Sequence, residues 1–339
     1  MRNSVVAVLL LFIGTSALAE ESVSGPAGQI ERVVVAGKSL AGNLSGDPAQ
    51  REVLVYTPPG YAADARHRYP VVYFLHGYGV TAQFYANTLN WPTAIDRAIN
   101  DAHLQKMIVV MPDAFTPFGG SMYSNSVTTG NWESFVARDL VGYVDSHYRT
   151  IAKREARGLS GHSMGGYGTL RIGMKYPDAF AALYAMSACC LDPRGVSPVD
   201  AALEKISKPA EVAAMPSLGR TTLAASAAWA PDAKRPPFFL DLPTTNGVTQ
   251  KDVIARYAAN APPQMLSKYA KQLKRYAAIA MDVGTKDSLI GGNAAMDKAL
   301  TLNGVKHTYQ TYDGDHVNRI AQRFETQVLP FFSEQLKAK

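Results

Sequence analysis

The run Gly158-Leu159-Ser160-Gly161-His162-Ser163-Met164-Gly165-Gly166-Tyr167-Gly168 constrains this chain more than any other stretch: a short segment leads into Gly-x-Ser-x-Gly, and a helix-compatible segment follows. Strand, sharp turn and helix in that order hold the central serine at a strained backbone position, with its hydroxyl exposed above a parallel sheet. Ser163 therefore reads as a nucleophile. Gly161 and Gly165 serve the same turn, because a side chain at either position blocks the close approach of strand and helix. The pentapeptide also recurs by chance as a glycine-rich turn, so residues elsewhere must decide.

A turn of this kind needs a parallel sheet, and the sequence supplies alternating β and α patterns. Residues 30–36 and 52–56 read as two strands, antiparallel to each other, and residues 69–75 as a buried strand ending at His76-Gly77-Tyr78-Gly79. A helix is predicted over 91–102 and a strand over 107–111. The long polar loop at 112–130 then lies at the carboxyl end of a parallel strand, a natural place for substrate contacts. A helix follows from Trp132 to about Tyr148. Past the serine come a helix over 164–176, stopped by Pro177, and a strand over 181–188.

Between Asp192 and Pro263 the alternation breaks into scattered prolines and an alanine-rich stretch at 224–230. This reads as an insertion forming a lid, with a separate small domain as the alternative. The pattern resumes with a strand over 277–283, a helix over 293–302, a strand over 307–312 and a final helix over 317–336, kinked or restarted at Pro330. The expected fold is one three-layer α/β domain over residues 20–339, with helices on both faces of a mostly parallel sheet.

The chain opens with Arg2, an apolar run at 5–13 and Ala17-Leu18-Ala19 before Glu20 and Glu21, which reads as a secretory signal peptide over residues 1–19. The apolar run is too short to span a bilayer. No cysteine near the cleavage point offers a lipid anchor and no twin arginine precedes the run, so the expectation is an exported protein, periplasmic or secreted, without a stable membrane anchor. A retained N-terminal anchor is the alternative. Loss of Arg2 with the leader leaves 33 basic against 28 acidic residues, a mild +5. With no arginine-rich arm or zinc-finger spacing, nucleic acid is not an expected partner. The densest basic cluster, Lys268, Lys271, Lys274 and Arg275, has helical spacing beside Tyr269 and Leu273 and reads as the solvated face of an amphipathic helix.

The two cysteines, Cys189 and Cys190, are adjacent in an apolar run. Neighbouring residues seldom reach disulfide geometry, so they are expected as buried packing thiols. No further Cys or clustered His completes a metal ligand set.

A serine hydroxyl needs a base to take its proton and a carboxylate to orient that base. Among seven histidines, His316 follows the last predicted strand in Asp313-Gly314-Asp315-His316, on the serine's side of the sheet. His76 and His162 read as turn neighbours inside glycine motifs. For the acid, Asp287 follows the strand before the histidine's, with Asp192 the runner-up. The order Ser163, Asp287, His316 fits the α/β-hydrolase arrangement. The amides of Tyr78 and Met164 are the expected donors to a developing oxyanion.

The chain resembles the putative-esterase (esterase D and feruloyl esterase-like) family of the α/β-hydrolase superfamily. The likeness rests on Tyr56-Thr57-Pro58-Pro59-Gly60-Tyr61, Leu75-His76-Gly77, Asn131-Trp132-Glu133, Gly161-His162-Ser163-Met164-Gly165-Gly166, Gly284-Thr285-Lys286-Asp287 and Gly314-Asp315-His316. It implies a three-layer α/β-hydrolase fold with a lid insertion at 192–263, the same Ser163, Asp287 and His316, and a supporting role for Glu133 near the serine turn. The implied activity is serine carboxylic-ester hydrolysis through an acyl-enzyme, with no metal or organic cofactor. Acyl transfer of the mycolyltransferase type through the same triad is one alternative, and a catalytically silent binding protein is another. The expected partner is a small-molecule or polymer-linked ester. Export argues against a glutathione thioester, and Tyr123, Trp229, Phe238 and Phe239 are candidates to line an apolar pocket.

Overall fold

A computed structural model describes residues 25–192, 203–215 and 217–338 of the chain; the leader read in residues 1–19 lies outside the described residues. Strand β1 (Gln29–Ala36) and strand β2 (Gln50–Thr57) are joined antiparallel through their full length, as the opening pattern predicts. Strand β3 (Val71–Leu75) shows how sequence builds the rest of the sheet. Its Val71, Tyr73 and Leu75 enter one hydrophobic core and its Val72 and Phe74 enter a second on the opposite face, the two-residue period of a pleated strand. Strand β4 (Ile108–Pro112) divides its residues in the same way.

Strands β5 (Arg157–His162), β6 (Ala182–Met186), β7 (Ala278–Gly284) and β8 (Thr308–Tyr312) complete an eight-stranded sheet of order β1-β2-β4-β3-β5-β6-β7-β8. β2 meets β4 antiparallel, and every pair from β4 to β8 is parallel. The sheet is thus mostly parallel, as expected. Register aligns its carboxyl ends: Leu75 faces Gly161, His162 faces Met186, Asp282 faces Met186 from the other side, and Gly284 faces Tyr312. The loops leaving β3, β5, β7 and β8 therefore open on one edge.

Helices cover both faces. Helix α1 (Ala82–Thr88), capped by the Thr81 hydroxyl, and helix α2 (Trp91–Asn100) pack on the face of Val72 and Phe74. The predicted helix from Trp132, α3, runs through Trp132–Ser134, a π-helical stretch Phe135–Leu140 and Val141–His147 on the other face, beside helix α4 (Met164–Lys175).

Between Asp192 and Pro263 the alanine-rich stretch forms helix α5 (Ser217–Trp229), and helix α6 (Lys251–Asn260) follows. Ala224, Ala225, Ala227 and Ala228 are buried in the same core as α4. Helix α7 (Pro262–Leu273) carries Lys268 and Lys271 exposed, with Leu266 and Leu273 buried, the amphipathic pattern read from sequence. Helix α8 (Ile290–Leu302) precedes β8, and the last helix, α9, runs through Ile320–Arg323, a π-helical stretch Phe324–Val328 and Leu329–Gln335, restarting beside Pro330.

Cys189 and Cys190 correct the sequence reading: they are joined as a disulfide and are half-buried, not packing thiols. Side chains of neighbouring residues diverge in extended chain. Here Cys190 adopts a φ of +61°, and that left-handed turn breaks the alternation and brings both sulfurs to one side.

Candidate active site

Ser163 sits between β5 and α4 with φ +58° and ψ −113°, a conformation L-residues seldom adopt. The two neighbouring glycines make the turn possible. A Cβ on Gly161 would stand 2.5 Å from the carbonyl of Gly165, and one on Gly165 would stand 1.9 Å from the Leu75 carbonyl oxygen. Three main-chain bonds lock the turn: Ser163 N–H donates to Met186 O at 3.0 Å, and Tyr167 N–H and Cys189 N–H donate to Ser163 O at 3.0 and 3.1 Å.

The loops from β7 and β8 bring Asp287 and His316 to this serine. The imidazole Nε2 of His316 lies 2.9 Å from Ser163 Oγ, and its Nδ1 lies 2.8 Å from Asp287 Oδ2. Asp287 is buried, and its second oxygen accepts the Leu289 amide at 2.9 Å. The carboxylate is thereby held in one rotamer, with one oxygen committed to the ring. His316 keeps a third of its side chain in solvent, so its Nε2 edge stays reachable from outside. Asp192, the other candidate acid, stands on a nearby cavity wall instead. Asp313 pairs with Lys286 at 2.6 Å, and Asp315 accepts the amides of Val317 and Asn318, so both carboxylates are occupied away from the ring.

Two further histidines brace this arrangement, and the sequence reading had passed over both as turn neighbours. The His162 ring is buried, and its Nε2 donates to the main-chain oxygen of His316 at 2.8 Å, with the two rings 4.7 Å apart. Burial, and then the neighbouring His316 charge, depress its pKa to about 3. It stays neutral, and it tethers the loop that carries the catalytic candidate. His76 is also fully buried, and burial lowers its pKa despite the opposing charge of Asp113. The Ala114 amide donates to its Nε2 at 2.8 Å, which leaves the proton on Nδ1 to be donated to Gly77 O at 2.7 Å.

That last bond fixes the peptide joining Gly77 to Tyr78. In a trans peptide the N–H points opposite to the C=O, so the Tyr78 amide is turned away from the His76 ring. Gly77 lies against the serine, since a Cβ built there would be 3.7 Å from Ser163 Cβ. Met164 opens α4, where the first amides lack intrahelical carbonyl partners. The Tyr78 ring is seated by its hydroxyl donating to Phe118 O at 2.8 Å. Burial pushes that phenol up to about 12, against the opposing contributions of Thr221 and Arg220 from α5.

Glu133 touches neither Ser163 nor His316. It is fully buried and braces the helix behind the serine: Arg171 Nε of α4 lies 2.7 Å from Oε1, Lys175 of α4 pairs with Oε2, and the Asn125 amide donates to Oε1 at 3.1 Å. Burial works to raise this carboxyl, but the charges of Arg171 and Lys175 outweigh it and hold the group below its ordinary range. Although Glu133 stands in the first turn of α3, its carboxylate is not exposed to solvent.

A cavity of about 410 Å³ lies near the serine turn, bounded by the loop after β6, whose Cys189 amide bonds the Ser163 carbonyl, the Ser288–Leu289 turn beside Asp287, and residues of α5 and α6. Of the four aromatics expected to line a pocket, Trp229 does so. Tyr123 is instead buried against Gly168, and Phe238 packs on the core. Among the described residues, no group of three or more His, Cys, Asp or Glu is arranged to hold a metal ion, and no helix is long and apolar enough to cross a membrane.

Residues 48–328 match the family described as "Putative esterase". An esterase of Mycobacterium tuberculosis is 35% identical over 137 residues, 38% of this chain and 27% of that protein. An endo-1,4-beta-xylanase/feruloyl esterase of Xylanibacter ruminicola is 30% identical over 138 residues, 37% of this chain and 18% of that protein. The chain thus spans about a quarter or less of the length of these relatives. Among solved structures, a ferulic acid esterase superposes with a TM-score of 0.65 at 21% identity, covering 92% of this chain and all of the other. An S-formylglutathione hydrolase from Agrobacterium tumefaciens superposes with a TM-score of 0.59 at 18% identity, covering 93% and 98%. The fold is that of the α/β-hydrolases.

Proposed function

From a chain that belongs to the "Putative esterase" family, we propose a serine carboxylic-ester hydrolase that works through an acyl-enzyme. The observation that carries this reading is the hydrogen-bonded chain from Asp287 through His316 to Ser163, at 2.8 and 2.9 Å. Ser163 Oγ attacks the ester carbonyl carbon as its proton passes to His316 Nε2, and the imidazolium so formed is stabilised by the Asp287 carboxylate. The former carbonyl oxygen takes up negative charge and accepts from the amides of Tyr78 and Met164. Collapse breaks the bond to the alkoxy group, which leaves with the proton from His316. Water then attacks the acyl-enzyme with the same histidine as base, releasing the acid and restoring the serine.

In this reading the family's name and the positive φ of Ser163 support a nucleophile, and the cavity beside it receives part of the ester. The insertion, through α5 and α6, acts as the cover over that cavity. The leader in residues 1–19 supports export.

The test is hydrolysis of p-nitrophenyl acetate by the wild type, Ser163→Ala and His316→Ala. Each variant is expected to lose at least about 10³-fold in kcat while keeping the wild-type far-UV spectrum. A fluorophosphonate probe should label the wild type and not Ser163→Ala. Turnover by folded Ser163→Ala within tenfold of the wild type would remove Ser163 from the mechanism.

A further inference from the structure

One wall of the cavity near the serine turn has no part in the mechanism above. The disulfide between Cys189 and Cys190 lies on the loop leaving β6 and faces the cavity, as do Leu191, Ala225, Trp229 and Tyr257. This loop is anchored on both sides. The Cys189 amide donates to the carbonyl of Ser163 at 3.1 Å, and the preceding carbonyl, of Ala188, accepts Nδ2 of the buried Asn293 on α8 at 2.9 Å. The left-handed turn at Cys190 then presents two bonded sulfurs, one residue from the serine's own main-chain contact.

Sulfur is polarizable and makes weak hydrogen bonds, so a bonded pair gives a dry, adaptable face to apolar atoms. Two separate thiols or two methyl groups would not hold that face in one place. We propose that the Cys189–Cys190 disulfide is a specificity-determining wall of the cavity, favouring esters with a bulky apolar group over esters with a small one. This rests on the esterase reading, and its effect is a ratio of two substrates, which a general loss of catalysis leaves unchanged.

The experiment compares kcat/KM for p-nitrophenyl 3-phenylpropionate and p-nitrophenyl acetate in the wild type, in Cys189→Ala/Cys190→Ala, in the single variant Cys190→Ser, and in wild type reduced under argon. Tris(2-carboxyethyl)phosphine does the reduction and is removed before assay: the S–S bond breaks, each sulfur takes a hydrogen from water, and the water oxygen passes to phosphorus to give the phosphine oxide. The phenylpropionate-to-acetate ratio is expected to fall about tenfold in all three altered forms, the discrimination attached to losing about one methylene of pocket contact. Pretreatment with the phosphine should leave the ratio of the double variant unchanged. Thermal melting identifies any variant that fails to fold, and the reduced wild type then carries the comparison. A ratio within twofold of the wild type, an equal loss on both esters, or two titratable thiols in unreduced native protein would each overturn the proposal. If the wild type turns over neither ester, the esterase reading fails on its own. Calorimetric binding of 3-phenylpropionate then decides the wall: about tenfold weaker binding in the double variant supports it, and equal binding overturns it.

Discussion

His162 offers the sharpest test of how burial and chemistry are linked in this protein. Its ring is 3% exposed, lies between Tyr85 and His316, and donates one N–H to the His316 carbonyl. A folded pKa of about 3 against an ordinary value near 6.5 means that the unfolded chain takes up a proton between these limits while the folded chain does not. Stability therefore falls as pH drops through that window, by up to about 1.4 kcal/mol per pH unit from this one group. Between pH 6 and pH 4 the group removes about 2 to 3 kcal/mol. Above the ordinary histidine range it contributes no pH dependence.

Replacing His162 with Gln places an amide near the former Nε2, keeping a donor for the His316 carbonyl and removing the titration. Urea unfolding at half-unit steps from pH 7 to pH 4 reads the difference. Buried His76 and the carboxylates titrate in both proteins, so the gap between the two curves isolates residue 162. His162→Gln should become relatively more stable by about 2 to 3 kcal/mol on going from pH 6 to pH 4. Curves that stay parallel to pH 4 would refute the claim that this ring is buried and neutral.

Ser163→Gly should be inactive yet more stable than Ser163→Ala by about 1 kcal/mol, because glycine adopts the positive φ of the turn without the steric cost; thermal melting compares them, and a less stable glycine variant would deny the strain. Gly165→Ala should lose about 3 kcal/mol or more and its fluorophosphonate labelling, since the new methyl meets the Leu75 main-chain oxygen. Glu133→Gln leaves Arg171 and Lys175 without their carboxylate and should cost about 3 kcal/mol or more at pH 7 in urea unfolding. The depressed carboxyl adds stability that is present above the ordinary carboxylate range and lost as pH falls through and below it. The Glu133→Gln deficit should accordingly shrink on acidification, and a deficit independent of pH would contradict the ion-pair account.

The meeting of Ser163, Asp287 and His316 was legible because each follows a strand whose pattern is plain, and strands of a parallel sheet deliver the loops at their carboxyl ends to one edge. The helices between Asp192 and Pro263 were not. The alanines of α5 are buried on the face shared with α4, and a run of small apolar residues has too little contrast to show a helical stripe. Strand order was also hidden, since alternation says which segments pair with helices and not which strand lies beside which. The disulfide went unseen because it depends on a left-handed residue at 190, which no local sequence rule demanded of a cysteine.

His76 and His162 were missed for a different reason, and the reason bears on mechanism. A glycine motif specifies the path of the backbone but not whether the ring beside it ends up in water or in the core. Here both rings are buried, and each gives its N–H to a main-chain oxygen: His76 to Gly77, beside the proposed oxyanion donor Tyr78, and His162 to His316, the proposed base. Protonating either ring would place a second N–H in a buried site with no added acceptor in the case of His162 Nδ1, and would displace the Ala114 amide from Nε2 of His76. Acid therefore attacks the positioning of both halves of the site through the same chemistry that lowers stability. Activity lost in strong acid should accordingly include a part that comes from loosening of these supports, and that part should diminish in His162→Gln.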